Sequence, residues 1–186
     1  MRVALFGGSF NPPHVGHVLA ASYVLSVADV DRLLVVPVFA HPFEKPLAPF
    51  GDRLAMCRLA MESMPRVEVS PIEQTLAAPS LTLRTVRHLL TENPDWSLRL
   101  VVGADLLAEA SQWHAFDEVA RLAPLLLLGR HGVRGPDGPK ALLPDVSSTE
   151  VREMLHRRGS PAVDAELVTV VPNAVLRYID DRGLYR

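Results

Sequence analysis

The stretch that decides the fold is RVALFGGSFNPPHVGH, residues 2–17. It opens with an apolar run, Arg2–Phe6, that indicates a buried strand, and the pair Gly7-Gly8 stops that run. Apolar residues then recur at helical spacing from Val15 to Leu25. A strand, a glycine turn and a helix in this order predict the start of a βαβ unit.

The same alternation of short apolar runs with amphipathic ones continues along the chain. Further strands are predicted at residues 32–38, 67–72, 98–102 and 125–128. Further helices are predicted at residues 51–64, 80–90 and 170–185. Strands separated by helices of this length require right-handed crossovers and a parallel sheet. We therefore predict an α/β fold, a Rossmann-like doubly wound parallel sheet with helices on both faces. Such sheets bind ligands beyond the carboxyl ends of their strands, where the strand order reverses.

Length and composition indicate one globular domain. The chain has 186 residues, of which 48% are apolar and 22% charged, and this balance excludes a disordered or collagen-like chain. No linker or internal repeat divides the sequence. We predict a single domain, residues 1–186, whose C-terminal helical portion, about 147–186, completes a phosphate site.

Charge and cysteine content exclude several classes of function. Nineteen basic and twenty-one acidic side chains give a net charge of −2, so non-specific nucleic-acid binding has no electrostatic support. The single cysteine, Cys57, excludes a disulfide framework and a multi-cysteine zinc site. The run Leu122–Leu128 is too short to cross a membrane, and residues 18–28 lack the flanks of an export signal. These features predict a cytoplasmic protein without membrane or nucleic-acid partners, and they leave a monomer and a homo-oligomer equally open.

A phosphate site is predicted where the first strand meets the first helix. The motif GGSFNPPHVGH, residues 7–17, is neither a GxGxxG fingerprint nor a Walker A loop. Asn11 is predicted to cap the helix, with Pro12 at its first position. Free backbone amides and the helix dipole favour a phosphate, and His14 and His17 would point towards it. Alternatively, the glycines only turn the chain and the histidines form a metal site or a solvated surface. The sequence shows no further metal ligands nearby.

A second helix end suited to an anion is predicted at the string SSTEVR. Ser147 and Glu150 form a capping box, so a helix begins there. Ser148 and Thr149 add hydroxyl donors, and Arg152 offers a planar fork for phosphate oxygens. The alternative is an ordinary helix cap with a solvated arginine. Two such helix ends on one rim of the sheet favour a shared phosphate site.

With these motifs in place, the sequence resembles a known family. GGSFNPPHVGH is similar to the HxGH signature of the adenylyltransferases that act on nicotinate mononucleotide, within the nucleotidylyltransferase superfamily. SSTEVR resembles the second phosphate motif of that family, ISSTxxR. Gly103-Ala-Asp105 with Trp113 resembles its GxDxxxxxxxW segment, and Pro79–Thr82 resembles its PSYT segment. The chain end, residues 171–185, is similar to its closing helix, so the resemblance covers nearly the whole chain.

The resemblance implies the transfer of AMP from ATP to nicotinate mononucleotide, with release of pyrophosphate. Positioning and charge stabilisation supply the rate of such a reaction. The implied catalytic residues are His14, His17 and Arg152, with Mg²⁺ bridging phosphate oxygens and no metal ligand assigned to the chain. The residues implied to bind ATP are Gly7, Gly8, Ser9, Phe10, His14, Gly16, His17, Gly103, Asp105, Ser147, Ser148, Thr149 and Arg152. The residues implied to bind the acceptor are Asn11, Lys45, Ser80, Leu81, Thr82, Trp113 and Arg130.

Some of these residues also have a structural interpretation. Trp113 suits stacking on a pyridine ring, but a tryptophan in such a helix also serves as half-buried packing. Asp105 could bind a ribose hydroxyl or a magnesium-bound water, or it could cap a helix. Ser80 is a natural N-cap for the helix that follows it. Lys45 and Arg152 would help to hold negative charge.

Four departures from the family pattern lie on the predicted acceptor pocket or its rim. The family usually has an aromatic residue at the position of Leu81, and often one at His114. Its PPHK loop is replaced by HPFEK at residues 41–45, and Arg130 is followed by His131-Gly132 rather than Pro-Gly. Nicotinamide mononucleotide and phosphopantetheine therefore stay open as acceptors. A nucleotide sensor without turnover is a further alternative.

The remaining features are predicted to be structural. Cys57 lies in an apolar helix and is expected to be a small buried side chain. Tyr178 and Tyr185 are expected to anchor the last helix. The segment 129–140, rich in Gly, Pro and charge, is predicted to be a surface loop.

Overall fold

The centre of the molecule is an all-parallel β-sheet. The computed structural model describes residues 1–43, 45–104, 113–129 and 143–186, and five strands lie within these ranges. The strands are β1 Arg2–Gly8, β2 Arg32–Pro37, β3 Val67–Val69, β4 Ser97–Gly103 and β5 Leu125–Leu128. Their order is β3-β2-β1-β4-β5, and each neighbouring pair is parallel. The strand order therefore reverses between β1 and β4, and the predicted Rossmann-like fold is confirmed.

Helices cover both faces of this sheet. They are α1 Val15–Val27, α2 Phe50–Met61, α3 Thr82–Glu92, α4 Phe116–Leu122, α5 Ser148–His156, α6 Pro161–Val170 and α7 Asn173–Arg182, with a 3₁₀ turn at Ile72–Thr75. Successive strand residues point to opposite faces, so the sheet has two apolar sides. Ala4 and Leu33 join the core beneath α1, α2 and α5 to α7. Val3 and Leu5 join the core beneath α3 and α4.

The C-terminal helices pack on the same core as the helices that follow the first two strands. Buried residues of α5, α6 and α7, such as Val151, Leu167 and Val175, belong to one cluster with Val24 of α1 and Met56 of α2. Within the described residues, every helix is too short or too polar to span a bilayer. The C-terminal portion thus lies against α1 and α2 rather than apart from them.

The predicted start of the first helix is wrong. Helix α1 begins at Val15, with His14 as the N-cap, rather than at Asn11 and Pro12. The side-chain oxygen of Asn11 accepts hydrogen bonds from the backbone N–H of Ala48 and from the hydroxyl of Tyr185. It is therefore occupied by tertiary partners and does not cap the helix.

Three further boundaries differ from the prediction. Helix α3 begins at Thr82 with Leu81 as N-cap, because the Ser80 hydroxyl accepts from the backbone N–H groups of Phe39 and Ala40 instead. The strand predicted over 67–72 ends at Val69. The closing helix predicted over 170–185 is the shorter α7, and the separate helix α6 before it was not predicted.

Candidate active site

The loop that leaves β1 lies where the strand order reverses. Phe10 adopts a left-handed backbone conformation with φ of 46°, which is uncommon for a residue with a side chain. Its ring is buried and packs against the rings of His17 and Phe6, at 4.8 and 5.5 Å between centroids. A Cβ atom on Gly8 would lie 3.2 Å from this ring, so a side chain there would require the Phe10 ring to shift by a few tenths of an ångström. With its ring buried, Phe10 can meet a ligand only through its backbone.

The rings of His14 and His17 lie against each other at the start of α1, with their planes tilted by 39°. Their ring centroids are 3.9 Å apart, and the backbone N–H of His14 donates to Nδ1 of His17 at 3.2 Å. Because Nδ1 of His17 accepts this bond, the neutral ring carries its proton on Nε2. A Cβ on Gly16 would lie 3.0 Å from the His14 ring and 3.2 Å from Val146. Gly16 thus allows both the histidine ring and the segment before α5 to approach closely.

The second predicted motif meets the first one directly. The predicted capping box is present: Ser147 Oγ accepts from the backbone N–H of Glu150, whose carboxylate accepts from the backbone N–H of Ser147. The Ser148 hydroxyl donates to the carbonyl of Pro12 at 2.8 Å, 136 residues away along the chain. Nη1 of Arg152 donates to the carbonyl of Asn11 at 2.8 Å. The prediction that the two helix ends converge is confirmed by these bonds.

Arg152 is held in place before any ligand binds. Its Nη1 also donates to the carbonyl of Ser148 at 3.1 Å, and its Nη2 donates to the hydroxyl of Thr149 at 3.2 Å. The guanidinium is half-buried. An arginine fixed by neutral oxygens keeps its full charge for an anion nearby.

Asn11 joins the first motif to two distant segments. It is buried, its Nδ2 donates to the carbonyl of Pro46 at 3.3 Å, and its Oδ1 accepts from Ala48 and from Tyr185. Burial raises the pKa of the Tyr185 phenol well above its usual range, so Tyr185 acts as a neutral donor. Together with the bond from Tyr178 to Asp52 at 2.8 Å, this contact confirms that both tyrosines anchor the C-terminal end.

Arg53 of α2 supports the same loop from beneath. The side chain is only 1% exposed. Its Nε donates to the carbonyl of Ala48 and its Nη1 to the carbonyl of Ser9, both at 2.9 Å. The guanidinium lies 5.6 Å from the centre of the Phe50 ring, a cation–π distance. Burial lowers the pKa of Arg53, but an arginine remains charged in a protein.

A cavity of about 400 Å³ opens beside the glycine turn, a size typical of small-molecule sites. From the first motif it is lined by Gly7, Gly8 and Ser9. The predicted acceptor residues that line it are Lys45, Ser80, Leu81, Thr82 and Trp113. Within the described residues, His14, His17 and Arg152 are not part of its lining. The predicted acceptor residues thus share the cavity with Gly7–Ser9, whereas the histidine pair and Arg152 lie outside its lining.

One wall of the cavity is tied together by a buried carboxylate. Oε2 of Glu73 accepts from the backbone N–H of Phe39 at 3.2 Å, and its Oε1 accepts from the Thr85 hydroxyl at 3.0 Å. Ser80 accepts from Phe39 as well as from Ala40. The loop after β2 and the start of α3 are thus held at a fixed separation.

The opposite rim carries aromatic and basic side chains. Nδ1 of His41 accepts from the backbone N–H of Phe43 at 3.1 Å, and Phe43 and Lys45 are exposed at the cavity mouth. Burial, and then the charges of Lys45 and Arg53, lower the pKa of His41. Trp113 lines the cavity and also packs edge-on against Phe116 at 6.0 Å. Both interpretations of Trp113, ring contact and packing, are therefore compatible with its position.

Comparison with known proteins places the chain in a family. The cytidylyltransferase-like family model matches residues 5–154. A probable nicotinate-nucleotide adenylyltransferase of Anaeromyxobacter dehalogenans is 46% identical over 100% of this chain and 97% of its own length. Relatives of the same name from Myxococcus xanthus and Thermus thermophilus are 37% and 35% identical, over 100% of this chain and 95% and 100% of theirs. The chain belongs to the nicotinate-nucleotide adenylyltransferase family.

A solved structure of this family shares the fold. The Plasmodium falciparum nicotinic acid mononucleotide adenylyltransferase complexed with NaAD aligns with a TM-score of 0.78. The alignment covers 99% of this chain and 97% of that chain, at 15% sequence identity. At that identity the likeness supports the fold alone.

The site residues predicted from the family resemblance fall into three groups in the structure. The loop before the histidine pair meets the SSTEVR motif through hydrogen bonds, since Ser148 and Arg152 donate to the carbonyls of Pro12 and Asn11. Gly103 ends β4 and pairs with Leu128 of β5. The acceptor residues other than Asn11 and Arg130 line the cavity. Asp105 and Arg130 lie outside the described residues, as does the predicted loop at 129–140 except Gly129. The roles of all these residues towards ligands stay predictions.

Glu73 and Arg53 were not predicted from the sequence. Both are charged side chains that the fold buries. The only sequence signal for Arg53 is its place in α2, one turn before the buried Met56 and Cys57. Glu73 follows a short strand and shows no periodic signal at all.

Proposed function

We propose that this protein transfers the adenylyl group of ATP to nicotinate mononucleotide, giving nicotinate adenine dinucleotide and pyrophosphate, a step of NAD biosynthesis. The observation that carries the proposal is that the two predicted phosphate motifs meet at the reversal of strand order, beside a cavity of about 400 Å³. Membership of the nicotinate-nucleotide adenylyltransferase family supports the reaction class.

The chemistry needs no covalent enzyme intermediate. A phosphate oxygen of the mononucleotide attacks the α-phosphorus of ATP, and the bond from that phosphorus to the α–β bridging oxygen breaks. Pyrophosphate leaves with the electron pair of that bond. His17, with its proton on Nε2, would donate to an oxygen of the reacting phosphate, and Arg152 would hold negative charge beside it. Holding both reactants in line lowers the barrier by roughly 7–11 kcal/mol.

The start of α3 favours an anionic pyridine substituent. Leu81 and Thr82 form the helix N-terminus and line the cavity, and the first turn holds no acidic residue. The backbone N–H groups of a helix N-terminus point at a ligand and the helix dipole favours negative charge. These amides suit a nicotinate carboxylate, while the Glu73 carboxylate on the same wall already accepts from Phe39 and Thr85. Trp113 would contact the pyridine ring from the same cavity.

Mg²⁺ is proposed to arrive bound to ATP. Among the described residues, no three or more His, Cys, Asp or Glu side chains are grouped to hold a metal ion. Mg²⁺ is usually bound through substrate phosphates, waters and one or two carboxylates. The described part of the chain therefore fits an ion that the triphosphate itself carries. Such an ion neutralises charge on the phosphate oxygens. A chelator should abolish turnover, and excess Mg²⁺ should restore it.

Turnover with three acceptors tests the proposal. Purified protein is incubated with ATP, Mg²⁺ and nicotinate mononucleotide, nicotinamide mononucleotide or phosphopantetheine, and pyrophosphate release is measured. We expect kcat/KM to be at least about tenfold higher for the nicotinate form than for the amide, the value of one lost hydrogen bond to a charged group, and no turnover of phosphopantetheine. A higher kcat/KM for either other acceptor would refute the assignment of nicotinate mononucleotide as substrate. Absence of pyrophosphate release with all three acceptors would favour a nucleotide sensor without turnover.

The protein is further proposed to act in the cytoplasm on small molecules alone. Cys57 is free and buried, and burial raises its pKa to about 12. An unreactive, unpaired thiol suits a reducing compartment. Cell fractionation tests the location, and a gel-shift assay with DNA and RNA tests the absence of nucleic-acid binding.

A further inference from the structure

Arg53 is a buried charge whose hydrogen-bond partners are all neutral. The side chain is 1% exposed, and its two bonds run to the backbone carbonyls of Ser9 and Ala48. Within the described residues its guanidinium forms no ion pair, and Glu73 acts on it only through space. The described surroundings of Arg53 thus leave a positive charge largely uncompensated inside the protein.

Such an arrangement is costly for folding alone. Taking a charged group out of water is strongly unfavourable, and neutral carbonyls offset only part of the penalty. Replacing a buried charge with an apolar side chain of similar volume is often neutral or stabilising. Stability by itself therefore does not explain an arginine at this position.

Arg53 also orients the loop that lies above it. The Ser9 carbonyl points inwards to Nη1 of Arg53. In a trans peptide the N–H of the next residue points the opposite way, so the Phe10 N–H is directed away from Arg53. Gly7, Gly8 and Ser9 line the cavity. The side of the Ser9–Phe10 peptide that faces away from Arg53 therefore presents an amide rather than a carbonyl oxygen.

We propose that Arg53 supplies a fixed positive charge beneath the Gly7–Phe10 loop that attracts the triphosphate of ATP without touching it. This inference rests on the proposed function, since it assigns the polyanion that the charge attracts. Interactions across a dry interior are stronger than in water, and salt screens them less than interactions between exposed charges. Arg53 is a positioning and electrostatic residue, whereas His17 and Arg152 are proposed to touch the phosphates.

Two matched variants separate charge from hydrogen bonding. Arg53→Gln and Arg53→Lys both shorten the side chain and keep an N–H donor. Only the Lys variant keeps the positive charge. Calorimetry with inorganic tripolyphosphate measures affinity, and thermal unfolding measures stability. We expect both variants to melt at a lower temperature than the wild type. At pH 6.5 the Gln variant should lose about tenfold in affinity, equal to about 1.4 kcal/mol, and the Lys variant should stay within about threefold.

A pH series adds a readout that a structural role would not change. A buried lysine loses its proton at lower pH than an arginine, which stays charged. The tripolyphosphate affinity of the wild type relative to Arg53→Lys should therefore rise between about pH 6.5 and 9. At about pH 9 it should approach the affinity of the wild type relative to Arg53→Gln. Arg58→Gln is the matched control, because Arg58 is exposed on the same helix. Its affinity should stay within about twofold of the wild type.

The outcomes are distinguishable from failure of the proposed function. Equal losses for the Gln and Lys variants at every pH, or a Gln variant within about twofold of wild type, would overturn the inference and leave the reaction intact. A wild-type protein that does not bind tripolyphosphate would contradict both. If the Gln variant does not fold, the pH dependence of the Lys variant against wild type decides the question.

Discussion

At the scale of single residues, one hydrogen bond determines which proton His17 can offer. The backbone N–H of His14 occupies Nδ1 of His17, so the ring presents its donor at Nε2. The buried rings of His14 and Phe10 lie against the His17 ring at tilts of 39° and 55° and limit its rotation. A donor fixed before the substrate arrives requires no reorganisation when charge develops on a phosphate.

Replacing His17 with alanine tests this role. We expect kcat to fall by roughly 10²-fold or more, as it does when an oxyanion donor is deleted, and steady-state pyrophosphate release measures it. His156→Ala is the control, because His156 is exposed in the last turn of α5. A His17→Ala enzyme within about fivefold of the wild type would contradict the assigned role.

The rim residue His41 links stability to pH. Burial, then the charges of Lys45 and Arg53, lower the pKa of His41 below its ordinary value of 6.5. Below that value the unfolded chain binds a proton at His41 that the folded chain resists, so stability falls with falling pH. The free energy of unfolding begins to fall as the pH drops below about 6.5, and the fall ends below the pKa of His41 in the folded protein.

His41→Gln should remove this part of the pH dependence. Urea unfolding at a series of pH values should show a flatter acid slope for the variant, starting at about pH 6.5. An unchanged slope would show that His41 has the same proton affinity in both states. Because His41 also lines the cavity, the same samples should be assayed for binding of the mononucleotide.

At the scale of elements, the start of α5 is a strong local structure that tertiary contacts reuse. The capping box of Ser147 and Glu150 satisfies backbone donors of the first turn. This leaves the Ser148 hydroxyl and the Arg152 guanidinium to reach the loop before α1. One helix end thus stabilises itself and also braces the other phosphate motif.

Ser147→Ala should weaken both functions of this helix end. Loss of an N-cap serine costs about 1 kcal/mol of unfolding free energy, and the frayed turn should raise the KM for ATP several-fold. Ser160→Ala is the control, since Ser160 stands at the same position of α6 and its side chain makes no capping bond. Equal losses of stability in the two variants would argue against the cap as the cause.

At the scale of the whole molecule, the cavity depends on segments that meet only in the folded chain. Glu73 joins the loop after β2, through Phe39, to α3, through Thr85. Helix α7 is held on α2 by Tyr178 and Arg182, which both donate to Asp52. The cavity wall at α3 and the C-terminal helix α7 are therefore braced on opposite faces of the sheet.

Glu73→Gln should affect the acceptor more than ATP. A glutamine keeps one oxygen for the Phe39 N–H, but its NH₂ group replaces the oxygen that accepts from Thr85, so the Thr85 hydroxyl must turn its proton towards the Leu81 carbonyl at 3.4 Å. We expect the KM for nicotinate mononucleotide to rise about tenfold and the KM for ATP to change less than about twofold. The exposed Glu68, paired with Arg32, provides the control variant Glu68→Gln. Equal changes in both KM values would show a general loss of structure instead.

Much of the fold was predictable because its signals are local. Continuous apolar runs such as Leu33–Val36 indicate strands covered on both faces, and Ser147 with Glu150 indicates a helix start. The caps at Asn11 and Ser80 were predicted wrongly for a physical reason. Both residues have the right chemistry for a cap, but bonds to distant backbone occupy their side chains.

By itself, the sequence determined the α/β alternation, the parallel sheet and the two phosphate motifs, because periodicity, turns and caps act over a few residues. The tertiary structure alone decided which polar groups are buried and joined. Arg53 beneath Ser9, Glu73 between Phe39 and Thr85, and Tyr185 on Asn11 are pairings across long stretches of chain. Burial and hydrogen-bond partners depend on what packs nearby in space, and no local pattern of residues encodes that.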